Sequence, residues 1–216
     1  MRNLASLLAL GAGLALALPT QSPADTLEGH FSGHAVHNGP APGVYAPGVV
    51  YTARLTLNTT QVNPWYPWNP AKEYTAVINA TVFSYFGGFL QTVDFANGAT
   101  FKIYEDSVTP ADFAVPATFT DGTLILSGGS NDYFGQRANV FGMPWNFYGT
   151  IVFTSGAGIG NLHSACSFGV TMNDFVNFQI GTNPPGYQEA YDAEWKCANA
   201  VSVDKASWGG VKTLYR

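Results

Sequence analysis

The sequence predicts an all-β protein, an antiparallel β-sandwich or jelly-roll of about nine or ten strands, with a short C-terminal amphipathic helix or tail. Three observations carry that reading. Apolar and polar residues alternate along many segments, as they do when one face of a strand is buried. Glycine and proline punctuate those segments at Gly87-Gly88, Gly128-Gly129 and residues 156–160. Charged residues make up only 11% of the chain, against about 25% in an average globular protein, while Gly (24), Phe (15) and Tyr (11) are abundant.

In chain order, residues 1–25 read as a secretory signal peptide. Arg2 supplies the positive start, residues 4–18 an apolar run too short for a bilayer span, and Ala15-Leu16-Ala17 the small-x-small pattern ahead of cleavage. The expected location is secreted, at the cell surface or in the periplasm. Residues 26–200 then form the β domain. Val49, Tyr51, Ala53, Leu55 and Leu57 alternate with polar neighbours, as in a half-buried strand. Residues 74–86 carry apolar side chains on both parities and read as a central strand covered on both faces. Further strands are expected over 27–36, 89–95, 100–104, 146–154, 167–172, 175–180 and 187–197. Asp121-Gly122 between two β-prone runs predicts a tight hairpin over 117–126 with a type I′ turn. All of this fits a sandwich, a jelly-roll or a barrel, because the alternation is the same in each.

Residues 201–216 read differently. Trp208, Val211 and Tyr215 wrap onto one helical face and Lys205, Lys212 and Arg216 onto another. Such a short segment, interrupted by Gly209-Gly210, is marginal as an isolated helix and orders on docking.

The formal charge of −5 argues against nucleic acid and anionic lipid as partners, since both call for a cationic footprint. After the signal, no apolar stretch is long enough to cross a membrane as a helix. Cys166 and Cys197 are the only cysteines, and in an exported chain they are expected to pair.

Residue patterns that can carry chemistry are few. His30, His34 and His37 lie close in sequence and are weak candidates for zinc or copper, weak because strand geometry puts His30 and His34 on one face and His37 on the other. Glu189, Asp192 and Glu194 form a local acidic group, a weak calcium candidate whose plainer reading is a solvated strand face. No nucleophile elbow, zinc-helix motif, phosphate loop or dinucleotide fingerprint is present.

The most unusual stretch is Asn63-Pro64-Trp65-Tyr66-Pro67-Trp68-Asn69-Pro70. Its prolines forbid a central strand and place three rings on a loop. Those rings either fold back over an open end of the domain or form a flat platform for a sugar ring or a partner side chain. On the second alternative the ligand-binding residues are Trp65, Tyr66, Trp68 and Asn69, joined by Trp145 and Tyr148, with Asn146 nearby. The expected function is thus a non-catalytic extracellular interaction module with a glycan or protein ligand. A glycan-active enzyme using two of the carboxylates and a structural subunit of a surface layer or fibre are the alternatives.

Overall fold

The computed structural model describes residues 27–41, 43–60, 63–95, 98–139, 143–166, 169–177 and 183–197. The expected signal peptide and the expected tail over 201–216 lie outside the described residues. Ten strands form: β1 (Glu28–His37), β2 (Val50–Asn58), β3 (Glu73–Phe86), β4 (Leu90–Phe95), β5 (Ala99–Asp106), β6 (Thr123–Ser130), β7 (Phe134–Ala138), β8 (Trp145–Ser155), β9 (Val170–Asn177) and β10 (Glu189–Cys197). Every pairing between them is antiparallel.

The strands close into an eight-stranded barrel, not a sandwich or jelly-roll. Closure comes from β10 pairing with β1, with Glu28 opposite Lys196 and Ala35 opposite Glu189. Two of the eight staves are broken. β4 and β5 run one after the other along β3, and β6 and β7 run one after the other between them and β8. Gly98, at a φ of 115°, lies between β4 and β5 in a backbone region that side-chain-bearing residues rarely adopt. Each stave neighbours the staves next to it in sequence, so the barrel is an up-and-down meander.

An eight-stranded barrel has an interior just wide enough to be filled by side chains, and here rings fill it. Phe31, Tyr51, Phe101, Trp145, Phe147 and Trp195 are among the largest fully buried side chains. Phe31 packs on Trp195 with centroids 4.2 Å apart, and Phe95 stacks on Tyr133 at 4.7 Å. Gly135 faces inward because Phe147 occupies its space: a Cβ there would come within 2.2 Å of the Phe147 ring. The outer wall carries Arg54, Asn79, Lys102, Asn173 and Asp192. That polarity is the reverse of a membrane-spanning barrel, whose lipid-facing band is apolar.

The expected hairpin over 117–126 does not form. Pro116–Phe119 is instead a 3-10 turn that buries Phe119, and Gly122 is not among the glycines with positive φ, so the type I′ geometry is lost. Residues 107–122 fold back over the outside of the wall, where Phe119 O accepts the Thr75 hydroxyl at 2.9 Å and Phe113 meets His34 and Tyr187. This flap is why the first half of β3 is covered on both faces, as expected. The second half is not covered: Phe83 and Phe86 are 71% and 62% exposed, and Phe89, in the turn that follows, is 81% exposed. Within the described residues, Val170–Asn177, the separate strands expected over 167–172 and 175–180 are one strand, β9, and β7 escapes the pattern because Phe-Gly-Gln-Arg-Ala is short and barely alternates.

Candidate functional site

The proline-rich loop is a plug. β2 descends to the end of the barrel where β10 finishes, and the loop that follows turns its rings across that end. Trp65 is 0% exposed and Trp68 8%, with Tyr66 between them. The Trp65 indole N–H donates to the Trp195 carbonyl at 3.1 Å, and its ring stacks on Phe153 at 5.9 Å. The Cys166–Cys197 disulfide ties the loop after β8 to the end of β10 at the same place, and His163 N–H donates to the Trp65 carbonyl at 3.1 Å. Asn69 is exposed and holds a turn, its side-chain oxygen accepting the Ala71 N–H at 3.0 Å. The flat solvent-facing platform is therefore corrected to the other alternative, a cover over an open end. Turn geometry lets rings on a loop reach inward, which removes about as much apolar surface from water as placing them on a strand would. Trp145 also points inward, at the opposite end. Its indole donates to Gly43 O at 3.4 Å and the Arg137 guanidinium lies 4.6 Å over its ring.

Inside the barrel runs a chain of polar groups. Asp174 on β9 and Glu189 on β10 are both fully buried. Asp174 accepts the Trp195 indole N–H at 2.9 Å and the Tyr191 hydroxyl, with the Tyr133 hydroxyl 3.5 Å away. Burial pushes its carboxyl up to about 7, against the pull of the three donors, Tyr191 first. Glu189 accepts the Gly43 N–H at 3.0 Å and the Tyr45 hydroxyl at 2.5 Å, which fastens the β1–β2 loop into the barrel mouth. His37 Nδ1 accepts the Gly39 N–H at 3.0 Å, so a neutral ring carries its proton on Nε2, 3.5 Å from Glu189. These groups are packed among rings, and they fix the loop and the register of β9 and β10.

The weak metal candidates separate. His34 bonds Asn183 at 3.1 Å and packs under the flap, His37 points inside, and only His30 meets possible co-ligands. His30, Glu28 and Glu194 offer donor atoms within 4.8 Å of one another on the outer wall. Lys196 already sits among them, 2.9 Å from Glu194 and 3.4 Å from Glu28. A zinc ion there would have to compete with that ammonium. The calcium group does not assemble, because Glu189 points into the barrel while Asp192 and Glu194 point out.

A different surface does come together on the outside of β1, β10, β9 and β8. The register lines up Ser32, Asp192, Phe175 and Asn146 in one row across the wall, and His30, Glu194, Asn173 and Tyr148 in the next. His30, Asn146, Asn173, Phe175, Asp192 and Glu194 line a shallow groove of about 420 Å³. Phe175 is 42% exposed there. At the groove's edge Tyr148 packs on Phe134 with centroids 5.5 Å apart. Thus Asn146 and Tyr148, expected beside the tryptophan loop, lie on this wall instead.

Asn173 and Phe175 were not anticipated as site residues, although β9 carries a signal for them. Val170, Met172 and Val176 share the inward parity with Asp174, while Phe175 shares the outward one with Thr171 and Asn173. A carboxylate on the apolar face beside a ring on the polar face breaks the pattern twice in adjacent residues. Such breaks concentrate at functional or network positions. No protein-family model, curated protein or solved structure matches the chain.

Proposed function

We propose that the chain is a secreted, non-catalytic β-barrel that binds glycans at the cell surface through the groove on β1, β10, β9 and β8. The observation that carries this reading is the groove's lining: an exposed ring, Phe175, ringed by the amides of Asn146 and Asn173, the carboxylate of Asp192 and the imidazole of His30. A pyranose presents apolar C–H faces and a rim of hydroxyls that both donate and accept. A ring flanked by amides and carboxylates meets both needs at low ordering cost, because these side chains have few torsions. The disulfide supports an oxidising destination.

Binding is favoured over hydrolysis by the placement of the carboxylates. Asp192 and Glu194 project side by side from the same face of one strand. Glycosidic hydrolysis needs its two carboxyls on either side of the scissile bond.

Glycan-array binding with the purified mature protein tests the proposal. Phe175→Ala combined with Asn146→Ala is expected to abolish binding while leaving the melting temperature within a few degrees. Retained binding in that variant, or reducing-sugar release abolished by Asp192→Asn, would replace the proposal.

A further inference from the structure

We infer that the tip of the β3–β4 hairpin inserts into the interfacial layer of a zwitterionic lipid bilayer. β3 pairs with β2 only as far as Thr81; its last residues are paired with β4, which is itself held by β7 from Leu90 to Asp94. From residue 83 to residue 90 every side chain except Ser84 is exposed, on both faces of the ribbon. Phe83, Phe86, Phe89 and Leu90 are 71%, 62%, 81% and 55% exposed, with Tyr85 beside them. Together the phenylalanines and the leucine present on the order of 500 Å² of apolar surface, at the size where an exposed patch marks an interaction site.

The chemistry selects the occupant. No residue from Tyr74 to Val93 is charged, so nothing in the tip resists transfer out of water. Side chains are exposed on both faces of the tip, which gives a small ligand little to sit in. The patch is well short of the roughly 800 Å² that each partner contributes to a stable protein interface. A bilayer interface needs no complementary shape, and Phe, Tyr and Leu are residues that enter it. Hydrogen bonds across the hairpin satisfy part of its backbone, as entry into apolar surroundings requires. At the foot of the tip the part-buried Ser84 hydroxyl donates to Asp94 at 2.9 Å, a polar pair placed to stay at headgroup depth. With no cation in the tip and a net charge of −5, anionic lipid offers no added attraction.

The tip is carried by β3 and β4, and the groove by β1, β10, β9 and β8.

Co-sedimentation of the purified mature protein with phosphatidylcholine vesicles tests the inference. The wild-type protein is expected to pellet with the vesicles, and Phe86→Asp with Phe89→Asp is expected to lower the bound fraction at least tenfold with an unchanged melting temperature. Adding phosphatidylserine is expected to leave binding equal or weaker. The inference is overturned if the wild type stays in the supernatant, if the variant pellets equally well, or if binding requires the anionic lipid. It is also overturned if the wild type forms lipid-independent dimers that the variant abolishes, which would assign the tip to a second copy of the chain.

Discussion

Residues 63–69 and 83–90 are both rich in rings, and the fold treats them in opposite ways. The first, broken by prolines, turns inward and seals one end of the barrel, with Trp65 fully buried and bonded to the backbone of β10. The second, the end of β3 and the turn into β4, stands in water with its rings bare. Regular secondary structure therefore does not imply burial, and an irregular loop does not imply exposure. What decides is whether the segment lies over the end of a closed interior or beyond it.

Truncating a ring in each segment should separate them most strongly. Trp65→Ala removes a buried ring and its hydrogen bond to the Trp195 carbonyl, so it should cost about 3 to 5 kcal/mol by denaturant unfolding. Phe89→Ala should change stability by no more than about 0.5 kcal/mol. Equal costs would break the comparison. The next effect concerns the staple at the sealed end. Replacing Cys166 and Cys197 by Ser opens a loop with a sequence separation of 31 and should cost about 3 kcal/mol, less if the plug holds the loop without it.

The contrast extends to neighbours on β9, where Asp174 is inside and Phe175 outside. Asp174 has a folded-state pKa of about 7, above an unfolded value of about 3.9. The folded protein thus binds its proton more tightly than the unfolded chain does. Its contribution to stability is present in full below about pH 4 and is lost as the pH rises through about 7. Asp174→Asn should flatten the stability profile between those limits, read as the difference between variant and wild-type unfolding free energies against pH. A profile that keeps its slope would place the titration elsewhere. Phe175→Ala should have the smallest effect on folding, within about 0.5 kcal/mol, while removing glycan binding.

Much of this was legible in the residues. Alternation located eight of the ten strands to within a few positions, counting β9 once, while Gly128-Gly129, read as a break, lies inside β6; the pairing of Cys166 with Cys197 followed from there being two cysteines. Closure was not legible, because it rests on β1 meeting β10 across most of the chain, and a strand that buries one face reads the same in a barrel as in a sandwich. The hairpin expected at Asp121-Gly122 failed for a tertiary reason. Burying Phe119 against the outside of β3 was worth more than the turn preference of the dipeptide. The groove was half legible: Asn146 and Tyr148 were singled out, but their partners Asn173 and Phe175 are set beside them only by the register of β8 and β9.

Hydroxyl-radical footprinting of the native protein, read by mass spectrometry, tests most directly the claim that the barrel buries the proline-rich rings and bares the hairpin rings. Phe83, Phe86 and Phe89 should be modified rapidly while Trp65 and Trp68 are protected until the protein unfolds. Rapid modification of Trp65 and Trp68 with protection of the hairpin phenylalanines would contradict it.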